Sequence, residues 1–172
     1  MMQLLISDAN ILIDMEEGEL LPQMFQLPYS FSIPDILFYE ELEQEHNHLI
    51  ELGLRLDELE GELVSYSLAL VEQYRKPSRN DCFALALAKH HQCPLLTGDK
   101  DLRAAAENEA VVVMGTVWLL KQLVILQLIT GDEARNSLTL MKNAGRRLPW
   151  RRAEEYILEA EQQILNEHTL EP

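Results

Sequence analysis

Four acidic residues carry the chemistry open to this chain: Asp8, Glu41, Asp81 and Asp99. Each falls where a strand is expected to stop or where a helix turns it inward. Carboxylates crowded into one pocket repel each other unless a divalent cation is bound there. All-oxygen ligands suit Mg²⁺ or Mn²⁺ rather than zinc. Taken alone, most of the four have a simpler role. Asp8 and Asp99 suit helix N-caps, and Asp81 suits a first helical turn, where the dipole favours an acid. Glu41 is harder to explain that way. On a helix, Leu37, Phe38, Glu41, Leu42 and Glu45 share one stripe, whereas Glu40 lies with Ile36 and Glu43. Glu41 is therefore expected among apolar side chains, where an unpartnered carboxylate is costly. Asp81 repeats the pattern, with Ala84, Leu85 and Ala88 along its stripe.

The elements that must position these acids read as α/β. Leu4 to Ser7 is a short apolar run that stops at Asp8, followed by a helix over Ala9 to Glu17. Residues 18–28 read as a connection. Tyr29 to Ile33 reads as a strand broken by Pro34, with a helix from Asp35 to about His48. Leu54, Leu56 and Leu59 mark a short edge strand, and Glu60 to Gln73 is helical in pattern. Ser78-x-x-Asp81 resembles a capping box and opens the apolar helix CFALALAKHHQ. Strands follow at Pro94 to Thr97 and Ala110 to Met114, with a short helix at Leu102 to Glu107 between them. From Gly115 onward the pattern is helical only. Strands alternating with helices indicate a mostly parallel sheet of about four or five strands, covered on both faces. We expect one domain over 1–172, with an α/β core at 1–114 and a helical part at 115–172 packed on it. In open α/β sheets the crevice lies beyond the carboxyl ends of the strands. Asp8 and Asp99 are expected at that edge, with Asp81 and Glu41 reaching it from helices.

A chain of 172 residues is long enough to bury a real core, and 47% hydrophobic with 25% charged is ordinary for a soluble protein. No apolar run reaches ~18 residues, so no membrane span is expected. The start, MMQLLISD, lacks the basic and apolar regions of a signal peptide. Cys82 and Cys93 then read as reduced thiols, which points to the cytoplasm. Neither has a second Cys or His at zinc-finger spacing. The formal charge of −15 is unevenly spread. Residues 1–74 hold sixteen acids and one base, residues 75–153 seven acids and thirteen bases, and residues 154–172 six acids and no base. A field this uneven still attracts a polyanion locally, although plain solubility explains it equally well.

Four segments resemble a PIN domain: SDANILID at 7–14, IPDILFYEEL at 33–42, SRNDCFALALA at 78–88 and LLTGDKDLRAAA at 95–106. The similarity continues through VVVMGTVWLLKQL at 111–123 and covers nearly the whole chain. This longer form resembles prokaryotic PIN-like proteins grouped with toxin–antitoxin nucleases. The resemblance implies metal-dependent cleavage of RNA, giving 5′-phosphate and 3′-hydroxyl ends. Asp8, Glu41, Asp81 and Asp99 match the family's four acids in order, as catalytic residues and as ligands for Mg²⁺ or Mn²⁺. Asn10 matches the polar residue after the first acid and Thr97 the hydroxyl before the last, with Asp101 an accessory acid. The substrate would be held by Arg79, Lys100 and Arg103, helped by Arg75 and Lys76, and by Arg146 and Arg147 in GRRLPWRR. There Trp150 has two readings: it stacks on a base, or it anchors the last helix while the arginines pair with Glu154 and Glu155. The implied partners are RNA, an antitoxin protein and a second copy of the chain.

Two rivals stand beside this. Some PIN-like proteins act mainly as interaction modules, and the helical part suits that role. A phosphatase of the haloacid dehalogenase type also places an Asp after its first strand. It needs a second Asp two residues on, where this chain has Asn10. The string His46-Asn47-His48 spells another nuclease motif, but histidines at i and i+2 do not share a helix face. Both it and His90-His91 read as structural.

Overall fold

A computed structural model describes residues 2–170. They form two compact units, one of residues 2–12 and 28–114, the other of residues 13–27 and 115–170. The first unit carries all the strands. Its sheet comprises β1 (Gln3–Ser7), β2 (Tyr29–Pro34), β3 (Arg55–Asp57), β4 (Leu95–Leu96) and β5 (Val113–Met114). All pairings are parallel and the spatial order is β3-β2-β1-β4-β5. This agrees with the expected sheet of four or five parallel strands flanked by helices. Leu5, Ile6, Ile33, Leu95 and Leu96 are fully buried, as an apolar run is when both faces of a parallel sheet are covered. The chain leaves β1 toward β2 and β3, then returns to its other side with β4 and β5. The order reverses between β1 and β4, which makes their carboxyl ends the switch point of the sheet.

The intervening helices show why the sequence folds this way. Helix α1 (Ala9–Glu17) starts directly after β1, capped by Asp8 Oδ1, which accepts the Ile11 amide at 3.0 Å. Among the short helices that follow are α2 (Leu21–Met24), α3 (Asp35–Leu37), α4 (Glu43–His46) and α5 (His48–Leu52). Helix α6 (Glu62–Gln73) packs on α7 (Arg79–His91), which lies on β1 and β2. In α7 every side chain from Cys82 to Ala88 is buried, as its apolar circumference predicts. Ser78 and Asp81 form a true capping box, and the helix ends at Gln92 in the left-handed conformation (φ 52°). Helix α8 (Lys100–Asn108) follows β4.

The helix expected from Asp35 to about His48 forms as one continuous run to His46, with a π segment inside it. Residues Phe38–Leu42 make a π turn, in which the Glu43 amide reaches back to the Phe38 carbonyl. The extra residue keeps Phe38 and Leu42 buried while turning Glu40 and Glu41 out to solvent. Glu41 is thus exposed rather than set among apolar side chains. The helix then breaks at Asn47, so the two histidines of the 46–48 string end one helix and begin another. Residues 18–28, expected as plain connection, include α2, whose Leu21 and Met24 are buried.

The second unit holds α2, most of α1 and three long helices: α9 (Thr116–Ile125), α10 (Gly131–Asn143) and α11 (Trp150–Leu170). Leu119, Leu120 and Leu123 of α9 pack with Ala153, Ile157 and Ala160 of α11. The acidic tail is largely paired inside this unit. Arg135 meets Asp132, Glu154 and Glu161, Lys121 meets Glu159 at 2.8 Å, and Arg151 meets Glu155 at 3.6 Å. Among the described residues no helix is long and apolar enough to cross a membrane. Cys82 and Cys93 are free thiols.

Candidate active site

The switch point links Asp8, Thr97 and the loop that carries Asp99. The β1–β4 register pairs Ser7 with Leu96, so Asp8 and Thr97 leave the sheet side by side. The Thr97 hydroxyl donates to Asp8 Oδ2 at 2.5 Å and accepts the Asp99 amide at 3.0 Å. Asp8 is 1% exposed and Thr97 is fully buried. One hydroxyl therefore sets the first acid against the loop that carries the fourth. Asp99 caps α8 by accepting the Leu102 amide at Oδ1, 2.8 Å away. It is exposed, with Oδ2 on the far side of its carboxyl from that bond.

Asp81 sits at the N-terminus of α7, half-buried, and its Oδ2 accepts the Ser78 amide at 3.1 Å. Burial pushes its carboxyl above the ordinary range, the Ser78 amide and hydroxyl oppose this, and the negative charge of Asp99 pushes it further up. That last effect places Asp81 and Asp99 within electrostatic reach. Glu41 lies on the π turn, where its Oε2 accepts Asn80 Nδ2 at 3.0 Å. No three of these four acids bring carboxylate oxygens all within 4.8 Å of one another. The donor set fits Mg²⁺ or Mn²⁺ in kind: carboxylates and a hydroxyl, with no thiol or imidazole among them.

A prediction follows from Asp81. Its folded pKa lies above the ordinary value of 3.8. Its contribution to stability is therefore full below about pH 3.8 and is lost as pH rises through the raised value. Asp81→Asn removes this loss while keeping an acceptor for the Ser78 amide. Metal-free Asp81→Asn is expected to melt higher than wild type at pH 7, with a smaller fall between pH 4 and 7. Thermal melts across that range in chelator test this; a lower melting point for the variant at pH 7 contradicts it.

The remaining candidates are spread more widely. Asn10 is exposed on the first turn of α1, and Asp101 is half-buried on the first turn of α8. Lys100 and Arg103 are exposed on the same turn of α8, next to Asp99. Arg79 is bound to Glu40 at 2.5 Å and lies 5.6 Å from the centre of the Phe83 ring. That guanidinium, with the Asn80 amide, holds the Glu40 carboxyl below the usual range.

In the second unit Arg147 is exposed, but Arg146 is not simply turned to solvent. Its Nε donates to Asp14 Oδ1 at 2.6 Å, and the Thr116 hydroxyl donates to Oδ2 of the same carboxylate at 2.8 Å. Trp150 is half-buried with Lys142 Nζ 5.8 Å from its ring centre, and Glu154 pairs with Arg135 rather than with the arginines beside Trp150. Four residues escaped sequence reasoning: Asn80, Glu40, Asp14 and Thr116. Only Asn80 had a local signal, as a polar residue inside the capping box of an otherwise apolar helix.

A family model described as a PIN domain matches residues 4–162. The chain belongs to the PIN-domain family. The match takes in the switch point and most of α11, so it runs through both units. PIN domains are generally nucleases and typically use divalent metals. No curated protein matches the chain.

Proposed function

We propose that this PIN domain is an endoribonuclease that hydrolyses RNA phosphodiester bonds at Asp8, Glu41, Asp81 and Asp99 with Mg²⁺ or Mn²⁺. The observation that carries this is the Thr97 hydroxyl joining Asp8 to the Asp99 loop at the switch point, with Asp81 in electrostatic reach of Asp99. Both units act as one domain over 1–172, in keeping with a family match that runs through both. When bound, a divalent metal lowers the pKa of a water and neutralises charge on the phosphate.

The chain supplies the rest. Asp8, Asp81 and Asp99 each give one oxygen to a backbone amide, which fixes the carboxyl plane. Thr97 holds the second oxygen of Asp8. Glu41 reaches the site from solvent and serves directly or through water. Lys100 and Arg103 stand beside Asp99 and hold the RNA backbone, whereas Arg79 and Arg146 are committed to Glu40 and Asp14. Asn10 and Asp101 are accessory polar groups. The biological role we infer is the toxin of a toxin–antitoxin pair in the cytoplasm, supported by the sequence resemblance. An antitoxin or a second copy of the chain would be its protein partner.

A mixed RNA pool incubated with Mn²⁺, with Mg²⁺ and with chelator tests the activity. Cleavage is expected with either metal and none in chelator, with 5′-phosphate and 3′-hydroxyl ends. Cyclic phosphate ends, or cleavage that survives chelation, would overturn it.

A further inference from the structure

Resting on the nuclease reading above, we propose that Asn80 is a positioning residue that holds Glu41 for the metal site and ties the second acid to the third. Asn80 Nδ2 donates to Glu41 Oε2 and to Glu40 Oε2, each at 3.0 Å. Those bonds use both N–H groups of one amide. Glu40 is anchored in turn by Arg79 Nη2, at 2.5 and 2.7 Å from its two oxygens. Residues 79 and 80 of the first turn of α7 therefore grip the π turn, and the next residue is Asp81. One helical turn carries the third acid and fixes the second.

Burial shows which partner controls the other. Glu41 is exposed, whereas Asn80 is only 8% exposed. An exposed glutamate loses rotamer freedom when it meets a ligand. The buried amide imposes that loss on Glu41 in the folded chain, before any ligand arrives, which is how outer-shell partners strengthen a metal site. The other end of the amide supports this. Asn80 Oδ1 is buried with no hydrogen-bond partner, an arrangement that costs free energy. Turning the amide over would pair Oδ1 with two carboxylates and lose both bonds. The donor side is thus held in place by Glu40 and Glu41 at the expense of the acceptor side.

The test titrates Mn²⁺ into wild type, Asn80→Ala, Asn80→Ser and Asp8→Asn, following free Mn²⁺ by electron paramagnetic resonance. Cleavage of the RNA pool is measured at each Mn²⁺ concentration, with thermal melts in chelator alongside. Asn80→Ala is expected to weaken Mn²⁺ binding by about 10-fold. The Mn²⁺ needed for half-maximal cleavage should shift by the same factor, with KM for RNA unchanged at saturating metal. Asn80→Ser keeps one donor and should fall between. If Asn80→Ala does not fold, Asn80→Ser decides on the same readouts. Wild-type Mn²⁺ affinity in the Asn80 variants, while Asp8→Asn has lost it, overturns the role of Asn80 and leaves the nuclease site standing; a lower melting point with unchanged Mn²⁺ affinity does the same. Wild-type affinity in Asp8→Asn overturns the site itself.

Discussion

Asp8→Asn is expected to lower RNA cleavage by about 10³-fold, equivalent to about 4 kcal/mol in the barrier. Asp8 is the acid with the least freedom to be replaced. It is 1% exposed, capped onto the Ile11 amide and held by the Thr97 hydroxyl. Asparagine has nearly the same shape, and its Oδ1 can still accept from Ile11. Its amide faces Thr97, whose hydroxyl can turn to accept. The variant thus loses the negative charge without losing the cap, and a buried charge is costly to keep. Its melting point in chelator is the control for the fold. Single-turnover cleavage in Mn²⁺, paired with melts, separates lost chemistry from lost fold. A variant that cleaves at the wild-type rate would remove Asp8 from the mechanism.

Arg146→Ala is expected to cost about 3 kcal/mol of stability, because removing one member of a buried pair strands the other charge. Asp14 is 6% exposed, and its carboxylate is met by Arg146 on one oxygen and Thr116 on the other. With alanine at 146, Thr116 alone faces the carboxylate on those two oxygens. For a chain of this size the melting point should fall by roughly 6–12 °C. Arg147→Ala, one residue along and exposed, should leave the melting point unchanged. Asp14→Asn combined with Arg146→Ala should recover part of the loss, since the stranded charge is gone. Equal melting points for Arg146→Ala and Arg147→Ala would show that the Asp14 pair contributes nothing. The two variants also divide a nucleic-acid role: Arg147→Ala can weaken RNA binding alone, whereas Arg146→Ala does so only with a change in stability.

How much of this was legible in the sequence depends on how far each cause reaches along the chain. An apolar run ending in an acid at Leu4 to Asp8 marks a buried strand and its cap, and both lie within four residues of each other. Ser78-x-x-Asp81 encodes its own capping box. The edge strand near residue 56 was visible from three leucines. The parallel sense of the sheet followed from the alternation of strands and helices, whereas the strand order did not. What escaped has non-local causes. The π turn is one hydrogen bond from Glu43 to Phe38, chosen because Phe38 and Leu42 are buried while Asn80 takes both glutamates. A helical stripe drawn at 3.6 residues per turn therefore put Glu41 on the wrong side. Arg146 read as a phosphate ligand because its partner, Asp14, lies 132 residues earlier. The strands β4 and β5 are two residues each, shorter than their apolar runs, because only Leu95 and Leu96 find partners on both sides.

The pairing of the acidic tail with bases of its own unit has a consequence for how RNA binding responds to salt. Arg135, Lys121, Arg151 and Arg146 spend their charge on acids of the same chain, as do Arg79 and Lys89 in the first unit. Such bases release fewer counterions when RNA arrives. Each phosphate neutralised on a single strand contributes about −0.7 to the slope of log affinity against log salt. Thirteen bases in the middle of the chain would allow a steep slope. With Arg75, Lys76, Lys100 and Arg103 as the exposed cations that flank the third and fourth acids in the chain, the slope should be far shallower, about −3. Grip on the substrate then falls to the scissile phosphate rather than to a long basic track, and short RNAs should bind nearly as well as long ones.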